Sequence, residues 1–286
     1  MSSNASTATR AVRAAIESDA QHGAVVPPLH LSSNFAFEGF ARKREYDYTR
    51  SGNPTRDALA DALAALEGGA GAVVTSSGMA ALTLITHFLE PGQLLVAPHD
   101  CYGGTFRLFT SLARKGHFDV EFVDQTDLDA VAAVCARGPR LVLTETPSNP
   151  LLRIVDIEAV AELAKDCGAL YVVDNTFLSP ALQQPLALGA DLVLHSTTKY
   201  INGHSDVIGG CVVAGTADLA EELTWWANCL GITGAPFDSF MTLRGLRTLN
   251  VRIREHEASA TLLANVLDQH CAVRHVYYPG LRSHPG

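Results

Sequence analysis

No apolar run in the sequence is long enough to span a membrane. The first ten residues, MSSNASTATR, lack the apolar core of a secretory signal. Both absences lead to the expectation of a cytoplasmic protein with no membrane partner. Basic residues are outnumbered, 21 Lys+Arg against 30 Asp+Glu, for a formal charge of −9. There is thus no electrostatic footprint for nucleic acid. The six cysteines contain no CxxC pair and read as reduced, mostly buried thiols. There is no HExxH or other compact zinc pattern, so no metal is expected, and His195 and His204 read as a strand and a turn residue. Neither GxxxxGKS/T nor a GxGxxG between strand and helix is present, which removes the common nucleotide loops. Lysine is scarce: only Lys43, Lys115, Lys165 and Lys199. Lysine is normally a surface residue, so one beside an apolar strand stands out.

With 286 residues, 47% hydrophobic and 18% charged, the chain can bury a full core, and disorder is excluded. Residues 1–57 carry little apolar periodicity and much Gly, Pro and Ser punctuation, and are expected to wrap over another surface. From Thr55 strands and helices alternate. Helices are expected over 56–66, 78–89, 104–114, 128–136 and 157–167. Strands are expected over 72–75, 94–97, 120–123, 141–145, 169–173, 192–195 and 210–213. This predicts an α/β fold, a mostly parallel sheet sandwiched by helices. One long helix is expected over about 239–267, then a strand at 273–277. A strand with nothing to pair with suggests that the chain breaks off at the start of a second domain. The expected division is an arm over 1–57, an α/β domain over 58–238, and a linking helix with the start of a truncated domain over 239–286.

Ligands of such sheets bind beyond the carboxyl ends of the strands. Five polar segments follow strands there: 76–78, 98–100, 146–149, 174–176 and 196–199. Lys199 follows an apolar strand amid small hydroxyl residues. Desolvated there, its neutral amine would attack a carbonyl; taken alone, it also reads as a surface lysine. Asp174, also at a strand end, needs a cationic or hydrogen-bonding partner if buried. A protonated pyridine nitrogen would serve, although Asp174 also reads as a turn cap. Ser77-Gly78-Met79 opens a helix after a strand and offers backbone N–H groups to a phosphate. Phosphate, pyridinium and an imine-forming lysine together describe a pyridoxal phosphate site.

Six ordered motifs carry a resemblance: 48–55 (YTRSGNPT), 77–79 (SGM), 102–105 (YGGT), 145–150 (ETPSNP), 174–177 (DNTF) and 196–200 (STTKY). On these residues the chain resembles the Cys/Met-metabolism family of pyridoxal-phosphate enzymes, with the aspartate-aminotransferase-like fold (fold type I). The match runs over nearly the whole chain. The family's second domain, which supplies an arginine for the substrate α-carboxylate, would be largely absent.

The resemblance implies a role for each matching residue. Lys199 would hold the cofactor as an imine and move protons, and Asp174 would pair with the ring nitrogen. Tyr102 would stack on the ring and help activate the incoming amine. Asn149 and Thr176 would line the ring. Ser77, Gly78, Met79, Ser196 and Thr198 would hold the phosphate. Tyr48 and Arg50 would reach the phosphate of a neighbouring subunit in a homotetramer, a dimer of dimers. Asp47 and Arg107 would contact amino-acid substrates, or read as solvated charges.

The implied activity is γ-replacement: an O-acylhomoserine, O-succinylhomoserine foremost, plus L-cysteine gives cystathionine, a step of transsulfuration towards methionine. The stretches 98–102 and 225–234 are similar to the family's γ-replacing transferases. Gly104 stands where methionine γ-lyases carry cysteine. A C–S lyase of the same family is the alternative reading. More distant ones are a nucleotide-binding dehydrogenase, which the missing glycine fingerprint disfavours, and a non-catalytic fragment.

Overall fold

The computed structural model describes residues 5–285, so the first four residues of the arm and Gly286 lie outside the described residues. The strands are β1 (Gly71–Thr75), β2 (Leu94–Pro98), β3 (Asp119–Val123), β4 (Leu141–Glu145), β5 (Leu170–Asp174), β6 (Leu192–His195) and β7 (Gly210–Ala214). They form one seven-stranded sheet in the order β1-β7-β6-β5-β4-β2-β3. β7 alone runs antiparallel to its neighbours; every other pairing is parallel. The fold is therefore α/β with a mostly parallel sheet.

The strands are nearly continuous Val and Leu because both faces of the sheet are covered. Alternate side chains go to opposite layers. Leu95, Leu141, Leu143, Val172, Leu192, Leu194 and Val212 pack under α3 (Gly78–Ile85), α4 (Gly103–Arg114) and α8 (Ala217–Leu230). Val193, Cys211 and Val213 pack on the other face against α2 (Pro54–Glu67), α9 (Pro236–Leu246) and α10 (Leu249–Asp268). Val96, Val142 and Val173 continue that face under α5 (Leu128–Cys135) and α6 (Ile157–Asp166).

Local chemistry sets the helix ends. The Asn53 side chain accepts from the backbone N–H groups of Thr55 and Arg56, with Pro54 in the first turn, and Gly68 closes α2 at φ 77°. Ser77 caps α3 through the Ala80 N–H. Asp127, Asp156 and Thr216 do the same for α5, α6 and α8.

Three expectations are corrected. The single helix over 239–267 is two, broken at Arg247-Thr248. Tertiary contacts hold the break: Arg252 donates to the carbonyls of Tyr200, Ile201 and Gly245. The strand at 273–277 is absent: none of the seven strands among the described residues pairs with that segment. Of the cysteines, Cys101, Cys135 and Cys211 are buried, Cys167 is half-buried, and Cys229 and Cys271 are exposed.

The arm has one short helix, α1 (Thr7–Val12), whose Ala11 and the following Ala14 join the core beside α2. Most of the arm beyond it is exposed, including Phe37 and Phe40. A further helix, α7 (Ser179–Leu182), follows β5.

Candidate active site

β1, β2, β4, β5 and β6 all run the same way, so the five polar segments lie at one end of the sheet. Close approaches join them. Gly78 sits so near Ser196 that a Cβ on Gly78 would lie 2.7 Å from the Ser196 Cβ. Only glycine lets these backbones meet. Ser196 donates its N–H to Thr176 Oγ1 at 2.8 Å, and Thr176 donates its N–H to Asp174 Oδ1 at 3.0 Å. Ser77, Gly78, Ser196, Thr176 and Asp174 thus form one continuous lining. Thr198 is fixed beside it, its hydroxyl donating to Gly209 O at 3.2 Å and accepting from the Gly209 N–H at 3.1 Å.

Tyr102 and Asn149 are placed by a residue to which the sequence reading gave no role. Glu145, at the end of β4, accepts the Tyr102 N–H at 2.8 Å and the Asn149 N–H at 3.1 Å. Tyr102 and Met79 both crowd Gly104, where a Cβ would lie 2.5 Å from the Tyr102 ring and 2.8 Å from Met79 Sδ. Glu145 was visible only as the first residue of the ETPSNP motif.

Asp174 makes no ion pair among the described residues, and burial pushes its carboxyl above the ordinary range. A buried carboxylate of this kind calls for a cation or a strong donor. Lys199 corrects an expectation. Its side chain is exposed rather than desolvated, because it stands in a turn past the end of β6 where the sheet no longer covers it. Its backbone is held by bonds to Ser196 and Gly203.

The remaining residues are not all brought to this rim. Tyr48 and Arg50 lie together, the guanidinium 5.4 Å from the ring centroid. Arg50 donates to the Asn228 carbonyl at 2.7 Å and to Asn228 Oδ1 at 2.6 Å, at the end of α8. Neither hydrogen-bonds a rim residue of its own chain, among the described residues. Asp47 accepts from Ser51 Oγ at 3.1 Å and from the Tyr48 N–H at 2.7 Å, which hold its carboxyl below the usual range. Arg107 is exposed on α4, near Gly103.

The rim fits pyridoxal phosphate on two observations. The Gly78–Ser196 approach is a cradle that a side chain would fill, beside the free N–H groups of a helix start. The Asp174 carboxylate makes no ion pair among the described residues, and a protonated ring nitrogen would supply that counter-charge.

Comparison with known proteins gives a consistent result. A family model described as Cys/Met metabolism PLP-dependent enzyme matches residues 8–286. The chain is 57% identical over 280 residues to the cystathionine gamma-synthase of Escherichia coli, covering 98% of this chain and 72% of that protein. It is 50% identical over 283 residues to the cystathionine gamma-synthase of Mycobacterium bovis, with 98% and 72% covered. It superposes on the crystal structure of cystathionine gamma synthase from Xanthomonas oryzae pv. oryzae in complex with aminoacrylate and cysteine with a TM-score of 0.97. Identity there is 62%, over 99% of this chain and 73% of that one. Motifs, rim geometry and these likenesses agree: the chain belongs to the Cys/Met-metabolism family of pyridoxal-phosphate-dependent enzymes.

Proposed function

We propose that the protein is a γ-replacing transferase of the cystathionine γ-synthase type. An O-acylhomoserine, O-succinylhomoserine foremost, and L-cysteine give cystathionine and the released acid. One observation carries this reading: 57% identity over 280 residues to a cystathionine γ-synthase. The rim geometry is compatible with it.

Pyridoxal phosphate, when bound, supplies an electron sink for negative charge on the substrate carbon. The chain's own residues do the rest. Lys199 Nζ would hold the cofactor and would move protons at the substrate Cα and Cβ. Its exposed position leaves the place where it would hold the cofactor open to an incoming amino acid. Asp174 would hold the ring nitrogen and favour its protonated form. Ser77, Gly78, Met79, Ser196 and Thr198 hold the phosphate. Tyr102, whose backbone N–H Glu145 holds, would stack on the ring and help activate the substrate amine. Asn149 and Thr176 line the ring edge. Asp47 and Arg107 serve as substrate contacts.

Tyr48 and Arg50 complete the phosphate site of a neighbouring protomer in a homotetramer. The exposure of both side chains supports this reading. No described helix is long and apolar enough to cross a membrane. The proposed setting is cytoplasmic.

The test is to supply O-succinylhomoserine with and without cysteine. Cystathionine formed only when cysteine is present supports the transferase. Keto-acid release from cystathionine alone, with no synthesis, would overturn it in favour of a lyase.

A further inference from the structure

Behind the rim, two buried side chains converge on one carboxylate oxygen. Glu67 ends α2, His195 ends β6, and Asn175 follows β5; each is at most 1% exposed. His195 Nε2 lies 2.6 Å from Glu67 Oε1. Asn175 Nδ2 donates to the same oxygen at 2.9 Å. One proton lies in the bond between His195 Nε2 and Glu67 Oε1, and the Asn175 amide N–H points at the same oxygen. The Asn175 amide is held from its other side too. Nδ2 also donates to Gln183 O at 2.9 Å, and Gln183 Nε2 donates to Asn175 Oδ1 at 3.0 Å.

The two residues that Glu67 grips are the immediate neighbours of rim residues. Asn175 follows Asp174, and His195 precedes Ser196. The rim closes the loop through Ser196 N–H to Thr176 Oγ1 and Thr176 N–H to Asp174 Oδ1. Glu67 Oε2 and His195 Nδ1 are buried without a hydrogen-bond partner, among the described residues. Packing alone does not explain this arrangement. A buried acid with a bare oxygen costs free energy that an apolar side chain of similar volume avoids.

We propose that Glu67 is a positioning residue. By holding His195 and Asn175 on one oxygen it locks Asp174 and Ser196, the anchors for ring nitrogen and phosphate, at the spacing the cofactor requires. This rests on the reading of Asp174 given above. The accepting oxygen is the feature that matters. Glutamine at this position keeps both bonds, and its amide takes the place of the unpartnered Oε2.

The test uses pyridoxal phosphate itself, reading its Kd and the visible circular dichroism of the bound cofactor, with thermal stability alongside. Glu67→Leu is expected to raise the Kd about tenfold or more, the loss of two buried hydrogen bonds, and to change the visible band. Glu67→Gln is expected to leave both near the wild type. A Glu67→Leu protein with unchanged Kd and band would overturn the proposal, as would a Glu67→Gln protein damaged equally. If Glu67→Leu does not fold, Asn175→Ala removes one of the two bonds to Glu67 Oε1 and is expected to raise the Kd in the same direction by a smaller factor; no change overturns the proposal. Asp174→Asn is the control. An effect there with none at Glu67 overturns the Glu67 proposal alone. No effect at either site overturns the reading of Asp174 with it.

Discussion

Glu145 and Asp174 are paired in register at the carboxyl ends of the adjacent parallel strands β4 and β5, two acids side by side in the floor of the site. Neither makes a salt bridge among the described residues. Burial, and then the charge of Asp174, push Glu145 up to about 8. Like charges in a desolvated site cannot both ionise freely. The cofactor's ring nitrogen would relieve the pair by giving Asp174 a counter-charge.

The pH dependence of the apoprotein follows. Glu145 rises from an ordinary 4.5 to about 8, so the folded form holds a proton that the unfolded chain releases. Stability contributed by this group is present at acid pH and lost as pH rises from about 4.5 through about 8. Glu145→Gln is expected to flatten that slope. It is also expected to destabilise the acid form by about 1–3 kcal/mol, because an amide cannot accept from both the Tyr102 and Asn149 N–H groups. Thermal denaturation of the apoprotein across this range checks both. An equal slope in wild type and variant would remove Glu145 as its source.

Gly104 leaves room for Tyr102. A Cβ there would lie 2.5 Å from the Tyr102 ring and 2.8 Å from Met79 Sδ. Tyr102 is 46% exposed and free to swing outward, so the clash moves the ring rather than unfolding the chain. Gly104→Ala is expected to lower kcat/KM about 100-fold, the effect of a misplacement near 1 Å, with little change in melting temperature. Steady-state kinetics beside a melting curve separate the two effects.

Lys199 is exposed, so Lys199→Ala should change stability by no more than about 0.5 kcal/mol. Covalent attachment of the cofactor should vanish. Borohydride reduction of the yellow wild type followed by peptide mapping is expected to place the pyridoxyl group on Lys199, and the variant is expected to stay unlabelled. Label on another lysine in the wild type would refute the assignment.

The legible parts of the sequence were those whose cause is local. Val- and Leu-rich runs reveal β4, β5 and β6, because a strand covered on both faces has no polar side to show. The expected helices at 128 and 157 begin where the structure has α5 and α6, at Leu128 and Ile157. The rim was legible because topology alone puts the ends of parallel strands together. What escaped depends on distant partners. Glu67 meets His195 across 128 residues and Asn175 across 108, so nothing near Glu67 in sequence marks it as buried. The break between α9 and α10 escaped for the same reason. No proline interrupts the 239–267 pattern, and the contacts that fix the break come from residues 200 and 201.

Those contacts make Arg252 the last test. Its guanidinium donates to the carbonyls of Tyr200 at 2.6 Å, Ile201 at 3.3 Å and Gly245 at 2.8 Å. It thereby clamps the turn after Lys199 to the junction of α9 and α10. Arg252→Ala leaves three carbonyls without their charged donor and is expected to cost about 2 kcal/mol. Arg252→Lys restores the charge but not the fork, so it is expected to recover less than half of that loss. If the clamp also holds the Lys199 turn in place, both variants will slow reconstitution with pyridoxal phosphate, in the same order as their loss of stability. Urea denaturation and the rate of appearance of the visible band provide the two measurements. Full recovery by Arg252→Lys would show that charge, rather than the three-carbonyl geometry, holds the turn.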